Sequence, residues 1–262
     1  MAGFKITHYL RARKKQYTQW IRHHLFKMSS PIHLPISLYH RWKRSVITVN
    51  GIRLKIDSRI SPFMTTVLRS GRHSMPELKM VLDSLDKDDV VLELGGGVGY
   101  TSICYAKKIG SERVYTFEAN PELNDLMKEN FRLNDVAPIV ESCMLGHTAG
   151  KKTFIITKNF WASSNVEATQ GRSVQVPVFS INDKIRTIDP SFLVMDIEGG
   201  EQDLFDGLDF YNIKKILLET HRSIIGDKET DRLLNLIENA GFKIQQKKEQ
   251  CYLYIKKLSG NE

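Results

Sequence analysis

Two short segments carry side chains that could do chemistry. Phe192-Leu-Val-Met-Asp196-Ile-Glu198 ends an apolar run with two carboxylates, and Ile216-Leu-Leu-Glu219-Thr-His221 ends another with a carboxylate and an imidazole. If both runs are strands of one parallel sheet, Asp196, Glu198, Glu219 and His221 meet at its carboxyl end, where open α/β sheets bind ligands. Such a corner can take a proton from a hydroxyl, with His221 or a carboxylate as base. Asp196, Glu198 and Glu219 could instead hold a divalent cation that acidifies the hydroxyl, although nothing in their spacing demands a metal. A lone histidine is usually a weak signal; the strand-end position beside three acids makes His221 a candidate. Glu201, two residues past Gly199, reads as a first-turn helix acid favoured by the dipole.

A third segment suggests binding. Val90-Val-Leu-Glu-Leu-Gly-Gly-Gly-Val-Gly-Tyr100 reads as a buried strand, a glycine loop and a helix that opens at Tyr100 and Thr101. Glycine lets backbone approach a nucleoside-type cofactor. A dinucleotide loop, G-x-G-x-x-G, would need its third glycine at position 100, which is Tyr100. Gly95, Gly97 and Gly99 follow G-x-G-x-G instead, preceded by Glu93. An acid there repels a pyrophosphate and suits a cationic cofactor. S-adenosylmethionine, with its sulfonium and amino group, is such a cofactor. Tyr115-Thr-Phe-Glu118 places an acid about twenty residues past the loop, where it can accept ribose hydroxyls, with Ala119 and Asn120 beside it. The competing reading of Glu118 is a solvated helix cap. Ser142-Cys-Met-Leu145 either flanks the adenine or is a plain strand end.

The elements that must position these groups alternate. Strands are expected at 90–94, 113–118, 138–143, 192–197 and 214–219, with helices at 100–109 and 121–133, which implies crossovers and a parallel sheet. Phe242–Gln246 and Tyr252–Lys256 read as a closing antiparallel pair after a helix at Glu229–Ala240. Between the third and fourth strands lies an irregular insertion with short strands at Lys152–Thr157 and Val174–Phe179. Upstream, alternating residues around Asn50-Gly51 predict a β-hairpin with a type I′ turn. Ser74-Met-Pro-Glu77 reads as a capping box. Residues 1–30 have apolar side chains at helical spacing, so an amphipathic helix is expected.

Composition sets bounds. With 41% hydrophobic and 26% charged residues, the chain resembles an ordinary soluble globular protein. No apolar run approaches the roughly 18 residues of a membrane span, and the N-terminus lacks the apolar core of a signal peptide. Cys104, Cys143 and Cys251 form no C-x-x-C pair, which fits a reducing cytoplasm. The net charge of +8 is local: residues 1–45 hold ten Lys and Arg and no acid, leaving 28 basic and 30 acidic residues elsewhere. This extension suits a solvated helix, peripheral contact with an anionic membrane, or attraction of an anionic acceptor such as an acidic glycan or RNA.

These segments together resemble the FkbM family of S-adenosylmethionine-dependent methyltransferases. Val91–Gly99, Phe117–Pro121, Trp161-Ala-Ser-Ser164, Val176–Ile185, Met195–Glu201 and Leu218–His221 carry the likeness, which spans roughly 46–256. Departures are Glu-Leu-Gly-Gly where the family usually has Asp-x-Gly-Ala, and Asn182 where Asp is common. The resemblance implies a Rossmann-like class I fold and O-methylation, typically of sugar or polyketide hydroxyls. The expected organisation is a basic extension at 1–45 and a methyltransferase domain at 46–262, its core beginning at residue 90. The Asn159–Asn165 loop, with Phe160, Trp161, Ser163 and Ser164, is expected to bind the acceptor, because aromatic faces pack on sugar rings. A cell-surface or lipid-linked glycan is the expected acceptor. The rivals are an RNA methyltransferase and a non-catalytic, S-adenosylmethionine-binding scaffold associated with a membrane. Base-amine methylation is disfavoured because Asp196-Ile-Glu198-Gly199 stands where an Asn/Asp-Pro-Pro-aromatic run is common.

Overall fold

A computed structural model describes residues 38–39, 42–71, 75–156, 171–197 and 199–256. The strand before the glycine loop is β3 (Val91–Leu94), and it is buried throughout, as is β9 (Phe192–Met195). Strands covered on both faces have no polar side to show, hence the continuous apolar run of β9 and, in β3, apolar residues at every position but Glu93. β3 lies between β9 and β4 (Val114–Phe117), parallel to both. β5 (Ile139–Glu141) continues beyond β4, and β10 (Lys215–Glu219) beyond β9, also in parallel. The sheet therefore grows outwards from β3 to one side and then to the other. That reversal leaves a crevice at the carboxyl ends of β3 and β9. β11 (Phe242–Lys248) and β12 (Cys251–Lys256) close one edge antiparallel, giving the order β11-β12-β10-β9-β3-β4-β5. This is the Rossmann-like architecture expected.

Alternate strand residues enter opposite cores. Val91, Val194 and Leu217 share a cluster with Ile103 and Ala106 of α3 (Tyr100–Ile109) and Leu123 and Leu126 of α4 (Pro121–Leu133). Helices α1 (Pro62–Arg69) and α2 (Met75–Ser84) join this face. Leu92, Leu193 and Ile216 pack on the other face with α5 (Ile181–Ile188) and, past the short α6 (Arg222–Ile225), α7 (Asp227–Asn239).

The hairpin forms as expected from β1 (Val46–Val49) and β2 (Ile52–Lys55), with φ of 49° at Asn50 and 81° at Gly51. Its outer edge is satisfied by amide side chains near the end of α4. Arg53 N–H donates to Asn134 Oδ1 at 2.9 Å, and Lys55 N–H to Asn130 Oδ1 at 2.8 Å. Asn50 Nδ2 donates to the Tyr100 hydroxyl at 3.0 Å, so the turn braces the start of α3.

Three expectations change. The insertion is not irregular: β6 (Met144–Gly146), β7 (Gly150–Ile156) and β8 (Arg172–Ser180) make a separate sheet in the order β6-β8-β7. Its buried Phe154, Ile156 and Val176 cluster with Ala119 and Met144, which is why it folds over the carboxyl ends. Helix α5 was not foreseen; Ser180 caps it by accepting from Asp183 N–H at 3.2 Å. Glu77 does not complete a capping box, since its Oε1 accepts from the Cys251 thiol and its Oε2 has no hydrogen-bond partner. Ser74 lies outside the described residues, as does the expected helix in residues 1–30. Among the described residues no helix is long and apolar enough to cross a membrane.

Candidate active site

The carboxyl ends of β3, β4 and β9 open into a cavity of about 590 Å³. The glycine loop forms one wall. Gly95, Gly97 and Gly99 have φ of 94°, 55° and 81°, in the left-handed region that side chains avoid. At Gly95 space is limiting too, because a Cβ would lie 2.0 Å from the Asp196 carbonyl oxygen. Its missing side chain lets the ends of β3 and β9 meet. Gly99 has a different task from the one expected. It is absent from the cavity wall, and a Cβ there would lie 2.6 Å from Met127 Cγ. It lets α4 pack on the start of α3.

Glu118 stands across the loop. Its Oε2 accepts from Gly97 N–H at 2.8 Å and its Oε1 from Asn120 N–H at 2.7 Å. Burial pushes its carboxyl up to about 7, against the pull of the two amides. Each oxygen keeps a lone pair for a further donor. Ala119 lies beside it in the wall, with Phe117, Met144 and Phe154 as apolar neighbours. Asn120 is not in the wall; its Oδ1 caps α4 by accepting from Glu122 N–H at 3.0 Å.

Glu93 borders the cavity but is only 3% exposed, and each of its oxygens already accepts from a hydroxyl of α3. Oε1 accepts from Thr101 Oγ1 at 2.5 Å, and Oε2 from Ser102 Oγ. Burial raises its carboxyl above the ordinary glutamate value. Glu93 and Thr101 thus tie β3 to α3, and Tyr100 is held by Asn50.

Acids and a histidine expected from the sequence come together at the ends of β9 and β10. Asp196 is in the cavity wall. Its side chain is 43% exposed, and its Oδ1 lies 3.6 Å from Nε2 of His221, which is 4% exposed. Behind the ring, Nδ1 lies 2.6 Å from Oε1 of the fully buried Glu201. If Nδ1–H is donated to that carboxylate, Nε2 is the ring nitrogen that faces Asp196. Donor atoms of Asp196, Glu219 and His221 all fall within 4.8 Å of one another, an N/O set that suits a divalent cation. Three of the four expected groups are therefore together. Glu198 lies outside the described residues, as do Phe160, Trp161, Ser163 and Ser164. Glu201 stands in a first helical turn as expected, but it has a second role that the sequence did not suggest. It opens a 3₁₀ turn, Glu201–Asp203, after Gly199 at φ 97°, and this turn buries its carboxylate against His221.

The sequence model of the methyltransferase FkbM domain matches residues 93–244. The chain belongs to this family. The matched span takes in the glycine loop, Glu118, Asp196, Glu201 and His221. The family is one of methyltransferases, and its cofactor is S-adenosylmethionine, as expected from the glycine strand. No curated protein matches the sequence.

Among solved structures, this FkbM methyltransferase is similar to the tRNA (uracil-54, C5)-methyltransferase of Pyrococcus abyssi in complex with S-adenosyl-L-homocysteine. Identity there is 12% and the TM-score 0.47, over 80% of this chain and 43% of that one, so the likeness spans less than half of that protein. It is also similar to a precorrin-6y C5,15-methyltransferase of Geobacter metallireducens, with 14% identity and TM-score 0.40 over 68% of this chain and 85% of that one. A ribosomal protein L11 methylase of Lactobacillus delbrueckii gives 15% identity and TM-score 0.41 over 71% and 81%.

Proposed function

We propose that this FkbM methyltransferase moves the methyl group of S-adenosylmethionine to a hydroxyl of a saccharide, with cell-surface or lipid-linked glycans as the acceptor class. The cavity suits the cofactor on its own chemistry. Gly95–Gly97 leave bare backbone, Glu118 keeps acceptor capacity for ribose hydroxyls, and Phe117, Met144 and Phe154 offer an apolar slot. When bound, the cofactor supplies a methyl group made electrophilic by its sulfonium.

The observation that carries hydroxyl methylation is the line that runs back from Asp196 in the cavity wall through His221 to the buried Glu201. Asp196 is the group an acceptor hydroxyl meets first. His221 Nε2 takes up the proton behind it, and Glu201 stabilises the imidazolium and fixes the ring. The saccharide is supported by Phe160 and Trp161 in the Asn159–Asn165 loop, whose ring faces suit sugars. Support for an anionic membrane as the meeting place comes from the ten basic residues of 1–45 and from Trp42, 80% exposed beside Lys43 and Arg44.

The test is transfer from methyl-labelled cofactor to a panel of sugar nucleotides, lipid-linked saccharides and bulk RNA. Label is expected as an O-methyl ether on saccharide, resistant to ribonuclease. Label confined to RNA would replace this acceptor. A second reading has Asp196, Glu219 and His221 hold a divalent cation that acidifies the hydroxyl. Activity lost to a chelator and restored by Mg²⁺ or Mn²⁺ would select it.

A further inference from the structure

One end of the cavity is strongly acidic. Glu77 from α2, Glu93 from β3 and Asp196 after β9 all line it, and Tyr105 lies among them. After burial, their charges are among the causes that raise the Tyr105 phenol. Glu219 adds a fourth carboxylate: donor atoms of Glu77, Glu219 and Cys251 lie within 4.8 Å of one another.

These carboxylates are not equivalent. Both oxygens of Glu93 accept from Thr101 and Ser102. Asp196 and Glu219 belong to the corner around His221. Glu77 is different. Its Oε1 accepts from Cys251 Sγ at 3.1 Å, which orients the carboxylate, while its Oε2 is shielded from solvent and has no hydrogen-bond partner. A shielded, unpaired carboxylate oxygen is costly and calls for a strong donor. A sulfonium has no N–H or O–H to give. An ammonium has three N–H donors and the charge to match.

We propose that Glu77 holds the α-ammonium group of S-adenosylmethionine. The inference rests on the cofactor reading above. It gives Glu77 the cation-binding task that the sequence suggested for Glu93, and it sets the amino-acid end of the cofactor opposite the ribose at Glu118.

The test is calorimetric and needs no acceptor. S-adenosylhomocysteine carries the ammonium; 5′-methylthioadenosine keeps adenine and ribose and lacks it. Both are titrated into the full-length protein and into Glu77→Gln, whose amide keeps the shape and can still accept from Cys251. S-adenosylhomocysteine should weaken roughly ten- to a hundredfold in the variant. 5′-Methylthioadenosine should stay within about twofold, which also reports that the variant is folded. Equal weakening of both, or unchanged affinity for S-adenosylhomocysteine, would overturn the assignment. A wild-type protein that binds neither compound would remove the cofactor reading itself.

Discussion

Glu118 should make cofactor binding depend on pH across neutrality. Burial lifts its carboxyl from the ordinary 4.5 to about 7 in the free protein. For an acid with a raised folded value, the stabilising contribution is fully present below pH 4.5 and is lost as pH rises to 7. Above that, the ionised carboxylate costs the free protein about 3 kcal/mol. Ribose hydroxyls donate to the ionised form, so binding should oppose this trend and release a proton below pH 7. Affinity should then fall roughly tenfold per pH unit below the pKa and level off above it. 5′-Methylthioadenosine is the ligand of choice, because it lacks the amino-acid groups that titrate themselves. Calorimetry across this range, in buffers of different ionisation enthalpy, reads both affinity and proton release. In Glu118→Gln the pH dependence should vanish and the affinity should be low throughout. A flat wild-type profile, or a slope that persists in Glu118→Gln, would refute the role given to this carboxylate.

Other predictions follow from the same geometry. Gly95→Ala should destabilise by at least about 3 kcal/mol in denaturant titration, from strain and collision with the Asp196 carbonyl, whereas Gly241→Ala, with φ of 91° and open space, should lose only about 1 kcal/mol; equal losses would discount the close approach. His221→Ala should lower turnover roughly 10²- to 10⁴-fold with S-adenosylhomocysteine affinity retained, and unchanged turnover would dismiss it as a proton acceptor. Nitrogen NMR above neutral pH should find His221 protonated at Nδ1; an Nε2–H ring would remove Glu201 as its anchor. Anionic vesicles should carry the protein in flotation, and glutamate at Arg11, Arg13, Lys14 and Lys15 should abolish this; flotation that survives would exclude charge as the cause.

The framework of the site was legible because its signals are local. Val91–Gly99 announces its own strand and loop, Asn50-Gly51 its own turn, and the runs ending at Asp196 and Glu219 their own burial. The contacts of Glu201 and Glu77 were illegible for the opposite reason. Their partners, His221 and Cys251, lie 20 and 174 residues away in sequence; the pairing of β9 with β10 brings the first pair together, and the packing of α2 on β12 the second. Nothing in the spacing around Glu93 could show that Thr101 and Ser102 would take both its oxygens, although an amphipathic α3 with hydroxyls in its first turn was a hint. Helix α5 had a readable signal in Ser180, Ile181 and Ile185, hidden by its position straight after β8. The second sheet escaped because β6 and β7 find their common partner, β8, only across the intervening chain.

The central claim is that the cavity between the Gly95–Gly97 loop and Glu118 holds the methyl donor. Titration of S-adenosylhomocysteine into the purified protein tests it most directly, with Gly95→Ala beside it. One saturable site per chain, weakened or lost in Gly95→Ala, is the predicted result. No binding by the wild-type protein, or equal binding by both, would contradict it.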